Sequence, residues 1–342
     1  MAEDGGRENR AYDFPVLIGD IGGTNARFQV MKAPDRPPGE VRIVKTADFP
    51  DIDAAIRSVL AAGRAAQPKS AILAVAGPVE GDEIPLTNSH WVVRPRGMLE
   101  GLGLQDIALL NDFEAQALAV ASLEPEHLAP IGGGESETGG ARVVLGPGTG
   151  LGVAGLIRSG GRWIPVPGEG GHIDLGPRTP REFDVFRHLE TIEGRISGEQ
   201  ILSGRGLVNL YGAIARADGA APEPVEPPQV TARALDGSDR TAVETLDIFA
   251  ACLGRVAGDV ALVFKSTGGV YLSGGIAQKI VPLLNRPLFR EAFEDKAPHR
   301  ELMRAMPVSV VTHPLAALIG LAAYAAAPHA FGVETGGRRW TM

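Results

Sequence analysis

A single cysteine, Cys252, among 342 residues excludes any disulfide within the chain and any zinc site built from several thiolates. The simplest reading is a chain kept in a reducing compartment. Dense runs of Lys and Arg are also missing and the formal charge is −8, which argues against a nucleic-acid surface. An anionic substrate would need local help from a metal or from backbone amides. Residues 1–13 are polar and charged, without the apolar core of a signal peptide, and read as a disordered lead-in. The longest apolar segment, Leu315 to Ala327, is too short to span a bilayer. No membrane is implied, and the cytoplasm is the expected compartment. Neither G-x-x-x-x-G-K-[ST] nor a G-x-G-x-x-G opening a helix occurs, so a nucleoside triphosphate would not be held as in a P-loop enzyme. What is present, 44% hydrophobic and 22% charged residues, describes a globular chain long enough for two domains.

The stretch Val16 to Val30, VLIGDIGGTNARFQV, organises the rest. Val16 to Ile18 reads as a buried strand, Gly19 to Asn25 as a turn and Ala26 to Val30 as the returning strand. Gly22 and Gly23 let a ligand approach the backbone, turn amides can converge on an anion, and Thr24 adds a hydroxyl. Asp20, at the end of an apolar strand, needs a partner, and a hydrated Mg²⁺ is one candidate. A tight hairpin whose glycines only satisfy turn geometry is the competing explanation.

Further on, strands are expected around Val41 to Lys45, Ala71 to Ala76 and Ile107 to Leu110, with helices over Asp51 to Gly63 and Phe113 to Ala121. Gly132 to Gly140 is a loop by composition. In ARVVLGPGTGLGVAGLI, from Ala141 to Ile157, the opening pattern returns: laid without gaps, Gly19 falls on Gly146 and Gly23 on Gly150. A strand at Trp163 to Val166, helices over Arg181 to Glu193 and Thr241 to Thr267, strands at Val270 to Leu272 and Val308 to Val311, and helices from Ile276 and over Leu315 to Ala327 complete a similar order. Gly219 to Gln229 is a proline-rich connector. Two such halves would set two phosphate-binding turns across a cleft.

Polar residues cluster in four further places. Asn111 and Asp112 end a buried strand, where open α/β sheets place ligands; Asp112 can take a proton from an attacking hydroxyl, while Asn111 with Glu114 equally fits a capping box. In PGEGGHIDL, Glu169 and His172 flank Gly170 and Gly171, a combination suited to a polyol, although a lone His is commonly structural. Glu199 in ISGEQILSGRG sits near an expected helix start, where its role can be purely electrostatic. Gly274 and Gly275 follow a strand in GGVYLSGGI, as a seat for a base or ribose or as a plain strand-to-helix turn.

Together GDIGGTNAR, LLNDFEA, GPGTGLGVA, PGEGGHIDLGP, ISGEQILSGRGLVNLY and GGVYLSGGIA resemble, in order and spacing, the hexokinase, actin and heat-shock chaperone superfamily of ATPases, and within it bacterial glucokinases of the ATP-dependent proteobacterial type. The resemblance implies duplicated ribonuclease H-like, actin-like α/β domains with mixed sheets flanked by helices and a cleft between a small domain, 14–122 plus 313–330, and a large one, 123–312, followed by a tail, 331–342. It implies that Gly19, Asp20, Ile21, Gly22, Gly23 and Thr24, with Gly148, Thr149 and Gly150, hold ATP phosphates, and that Gly274 and Gly275 lie near the adenosine. Asn111, Asp112, Glu169, His172 and Glu199 would contact D-glucose, with Asp112 as the base for its 6-hydroxyl, and Mg²⁺ would bridge the phosphates with Asp20 acting through water. The zinc-binding cysteines of the related ROK sugar kinases are missing, which favours the non-ROK group, and a homodimer is implied. Neither the N-terminal extension nor the tail touches a motif. The rival readings are a kinase for another hexose, a sugar-sensing regulator, and a sugar-independent ATPase.

Overall fold

The structure, a computed structural model, describes residues 11–63, 66–87 and 89–342. The chain runs β1 (Val16–Ile21), β2 (Asn25–Met31), β3 (Arg42–Lys45), α1 (Ile52–Gly63), β4 (Ser70–Val75), β5 (Ile84–Pro85), β6 (Val92–Val93), α2 (Pro95–Leu102), β7 (Asp106–Asn111) and α3 (Asp112–Ala119). It continues with β8 (Leu128–Gly132), β9 (Arg142–Pro147), β10 (Leu151–Ser159), β11 (Arg162–Gly168), α4 (Pro180–Phe186), α5 (Gly204–Ala217), α6 (Pro227–Leu235) and α7 (Arg240–Phe264). Then come β12 (Val270–Leu272), α8 (Gly275–Lys279), α9 (Val281–Leu284), α10 (Pro287–Glu294), α11 (Arg300–Ala305), β13 (Val308–Val311), α12 (Ala316–Ala326) and β14 (Arg339–Thr341).

Two compact units result. One holds the described residues up to Leu123 with Leu156–Pro167 and Leu315–Met342; the other holds Glu124–Gly155 and Gly168–Pro314. Among the described residues, strands form two six-stranded sheets, ordered β14-β7-β4-β1-β2-β3 and β8-β13-β12-β9-β10-β11, and a ribbon of β5 and β6. In the first, β1, β4 and β7 run parallel and β14 antiparallel at the edge. In the second, β9, β12 and β13 run parallel and β8 antiparallel at the edge. The fold is α/β, with mixed sheets.

Continuous apolar runs explain the central strands, since a strand covered on both faces cannot alternate with polar residues. Leu17, Leu73 and Leu109 face one core with Ile52 and Ile56 of α1 and Met98 of α2, whereas Ile18, Ile72 and Leu110 face another with Leu118 of α3 and Leu321 of α12. In the second unit Val143, Leu145, Val270, Leu272, Val308 and Val310 pack with α5, α7 and α10 residues.

Several sequence expectations change. The opening turn is only Gly22 to Thr24, because the strands extend to Ile21 and start again at Asn25. The helix expected to Glu193 stops at Phe186, and Ile192 bridges Arg195 instead. The proline-rich connector ends at Pro227, whose fixed φ suits the first turn of α6. Helices α2, α6, α10 and α11 were not expected, and the helix start expected near Glu199 falls at Gly204, where α5 begins. Of the lead-in, residues 1–10 lie outside the described residues, and Tyr12 is buried in the core beside Tyr324. Leu156–Pro167 belongs with the first unit, where Trp163 bridges Phe331. The tail supplies the edge strand β14.

Candidate active site

In the first unit the carboxyl ends of β1, β4 and β7 lie in register, Ile21 beside Val75 and Val75 beside Asn111. The Gly22 to Thr24 tip and the Asn111–Asp112 pair therefore emerge at the same end of the sheet, from β1 and β7, which flank β4. Gly22 N–H donates to the Asn25 carbonyl at 3.1 Å, so the tip's remaining amides, those of Gly23 and Thr24, are the ones suited to an anion. Gly19 has a different reason to be glycine: a Cβ there would meet Leu73 at 2.7 Å and Phe28 at 3.1 Å. Its missing side chain answers to packing within β1, and Ile21 is likewise a buried strand residue. Asp20 sits opposite Arg27 in the hairpin register and accepts from its guanidinium at 2.9 Å. The partner sought for this carboxylate is thus on the next strand. Burial outweighs the guanidinium and holds the Asp20 pKa above the ordinary carboxylate value.

Asn111 is the N-cap of α3, its Oδ1 accepting from Phe113 N at 2.9 Å and Glu114 N at 3.4 Å. Its Nδ2 donates to the Gly77 carbonyl at 3.3 Å, leaving one N–H of the amide available. Both the cap and a ligand contact are compatible on this residue. Asp112 opens the helix, half-buried, with one carboxylate oxygen accepting from Phe113 N at 2.9 Å. Glu114 closes the capping box from a nearly dry position, 1% exposed, and burial pushes its pKa up more than Arg338 draws it down.

In the second unit Gly148 N–H bonds back to the Gly150 carbonyl at 2.8 Å, and Gly204 N–H donates to the Gly148 carbonyl at 2.8 Å. Glu199, in a 3₁₀ turn, accepts from Leu151 N at 3.0 Å, and a Cβ on Gly150 would collide with its carboxylate. A second 3₁₀ turn, Gly170–His172, packs against β10: a Cβ on Gly171 would strike the Leu151 carbonyl and one on Gly170 would meet Val153 at 2.9 Å. That turn leaves Glu169 and His172 outward, with side chains 77% and 52% exposed and Oε2 and Nε2 3.8 Å apart. Arg195 steadies it by pairing with Asp174 and donating to the His172 carbonyl at 3.1 Å. Gly274, at φ 90°, caps α8, and a Cβ there would meet the Pro147 carbonyl at 2.8 Å, so the Gly274–Gly275 turn lies against the end of β9. Within this unit the Gly148–Thr149–Gly150 tip, Glu199, His172 and Gly274 are neighbours of one hairpin.

Sequence reasoning missed Arg27, Arg195 and Arg338. Arg27 faces Asp20 because the hairpin closes with Gly22 opposite Asn25, a register that the expected turn, Gly19 to Asn25, did not fix; the other two have no local signal either. Contrary to the expectation for the tail, Arg338 touches the LLNDFEA motif, donating to Glu114 at 2.7 Å. Among the described residues no group of three or more His, Cys, Asp and Glu side chains gathers around one point, and no helix is long and apolar enough to cross a membrane.

The sequence model of the glucokinase family matches residues 17–328. The chain is 63% identical over 327 residues to a glucokinase of Mesorhizobium japonicum, covering 96% of each sequence. A glucokinase of Chelativorans sp. is 63% identical over 330 residues, again covering 96% of each. The crystal structure of a glucokinase from an Antarctic psychrotroph has a TM-score of 0.81 at 31% identity, covering 93% of this chain and 100% of that one. A match of this depth over nearly the whole chain shows that the chain belongs to the glucokinase family and is a kinase that phosphorylates glucose.

Proposed function

We propose that the chain transfers the terminal phosphoryl group of ATP to the 6-hydroxyl of D-glucose, as the first step of glycolysis in the cytoplasm, with Asp112 as general base. The observation that carries this reading is the alignment of Ile21, Val75 and Asn111 across β1, β4 and β7, which brings a backbone-amide tip and a half-buried carboxylate to the same end of one sheet. Asp112 takes the proton of the 6-hydroxyl as its oxygen attacks phosphorus and the bond to the leaving ADP oxygen breaks. Such base assistance is worth on the order of 10² to 10⁴ in rate, the larger share of catalysis coming from positioning and charge stabilisation. Asn111 offers its remaining N–H to a sugar hydroxyl, Glu169 and Glu199 accept from others, and His172 does either. The amides of Gly23, Thr24, Thr149 and Gly150 suit the phosphates, and the Gly274–Gly275 turn suits the adenosine.

Asp20, a single carboxylate already bonded to Arg27, fits an ion held through water and not one coordinated directly. Bound there with the nucleotide, Mg²⁺ would screen phosphate charge. The matching strand orders of the two sheets support a duplicated, ribonuclease H-like origin of the actin type. A homodimer is the assembly we infer from the family, to be tested by sedimentation.

ADP release by the purified protein with Mg²⁺-ATP, with and without glucose, mannose, fructose or N-acetylglucosamine, tests the proposal. Release driven by glucose, with glucose 6-phosphate as product, is expected. Release that ignores sugar would overturn the site assignments.

A further inference from the structure

Residues 329–342 lie beyond the stretch that the glucokinase family model matches, 17–328. They nevertheless lay β14 on β7, the strand that carries Asn111, pairing Arg339 with Ala108, Trp340 with Ile107 and Thr341 with Asp106. Leu109 N–H donates to the Arg338 carbonyl at 2.9 Å, so Arg338 is held by its backbone next to the base of the motif. Three side chains then reach back. Arg339 Nε donates to Asp106 at 3.0 Å with its guanidinium 4.1 Å above the Tyr12 ring, and Trp340 Nε1 donates to Asp82 at 2.8 Å; both dock the strand. Arg338 reaches somewhere else: its two terminal nitrogens donate to both oxygens of Glu114, at 2.7 and 3.3 Å.

Glu114 is 1% exposed, and Arg338 is its charge partner. The Glu114 oxygen that takes the shorter Arg338 bond also accepts from Asn111 N at 3.4 Å, the residue before Asp112. A buried carboxylate that loses its guanidinium must take up a proton or swing towards water. Either change alters the reciprocal bond of the capping box, and the first turn of α3 carries Asp112 with it.

We propose that Arg338 is a positioning residue for the phosphoryl transfer: through Glu114 it fixes the Asn111 cap and thereby the Asp112 carboxylate. The inference rests on Asp112 being the base. A misplacement of about 1 Å at a reacting group can cost on the order of 10²-fold in rate, so a side chain that never meets substrate can govern turnover.

The experiment compares full-length Arg338→Gln, Arg339→Gln and the double variant Glu114→Gln/Arg338→Gln by glucose-dependent ADP release and by thermal midpoint. Arg338→Gln should lower kcat roughly 10- to 100-fold with little change in the KM for ATP. Arg339→Gln, which loosens the same strand without touching Glu114, should lower the midpoint and keep kcat within about twofold. The double variant should regain most of kcat, because a neutral amide at position 114 needs no counter-charge and still closes the capping box. Should Arg338→Gln not fold, Arg338→Lys, which keeps the charge but not the two-pronged contact, is read in its place. Wild-type kcat in the Arg338 variant, an equal loss in Arg339→Gln, or no recovery in a folded double variant overturns the inference. Those results leave the kinase reading intact, whereas a wild type without glucose-dependent release sinks that reading first.

Discussion

Glu199 and Gly150 share one small volume: the Glu199 Oε2 that accepts Leu151 N–H at 3.0 Å occupies the place a Cβ on residue 150 would need. A residue proposed for glucose thus also buttresses a turn proposed for phosphate. Glu199→Gln retains an oxygen for the Leu151 amide and should raise the KM for glucose about tenfold while the KM for ATP holds. Gly150→Ala should push the carboxylate aside and impair both. Steady-state kinetics in each substrate separates the two, and an unchanged KM for glucose in Glu199→Gln would leave Glu199 a structural role only.

Asp112→Asn should reduce kcat by about 10² to 10⁴ and leave the thermal midpoint near that of the wild type. The cap of α3 depends on Asn111 Oδ1, so the helix start survives the substitution. Near-normal turnover would remove Asp112 from its role.

Arg255 and Glu182 form another buried ion pair, 3.0 Å apart with side chains 9% and 6% exposed. Arg255→Ala leaves the Glu182 charge without that partner and should cost about 3–5 kcal/mol, read as a lowered midpoint in denaturant. A loss below about 1 kcal/mol would mean that water reaches Glu182.

His313 has its pKa held below its ordinary 6.5, chiefly by burial and then by His127, whose ring lies 4.7 Å away. Well above that value both folded and unfolded chains carry a neutral ring and the site adds no pH dependence. As pH falls below it the unfolded chain takes the proton first, so stability declines until the depressed folded value is passed and then levels off. Thermal midpoints from about pH 8 to about pH 5 should show this decline, and His313→Gln should flatten part of it.

Cys252 is buried and its thiol is pushed up to about 12, mainly by burial. The thiolate is the reactive form, so the folded protein should resist alkylation and react only on unfolding. Rapid labelling of the native protein would contradict this placement.

Local chemistry made much of this legible. Strand centres such as Val270–Leu272 and Val308–Val311 follow from short apolar runs bounded by turn residues, and the two hairpin tips from clustered glycines. The capping box at Asn111 follows from a three-residue spacing. Gly19 was less transparent: in the sequence it continues a glycine motif, and only the neighbouring strands reveal Leu73 and Phe28 filling the space above it. Helix α10 is only eight residues long, and its buried Phe289 and Phe293 meet α7 at Gly254 and Gly258, a close approach that no local pattern announces.

By itself the sequence determined that the chain is a mixed α/β protein with two glycine-tipped hairpins and a carboxylate at a strand end, because glycine conformation, apolar periodicity and capping act over a few residues. Only the tertiary structure decided that Asp20 faces Arg27, that Glu199 braces Gly150, and that Arg338 neutralises Glu114 from 224 residues away. A buried charge is satisfied by whichever opposite charge the folded chain brings to it, and the distance along the chain leaves no periodic trace of that choice.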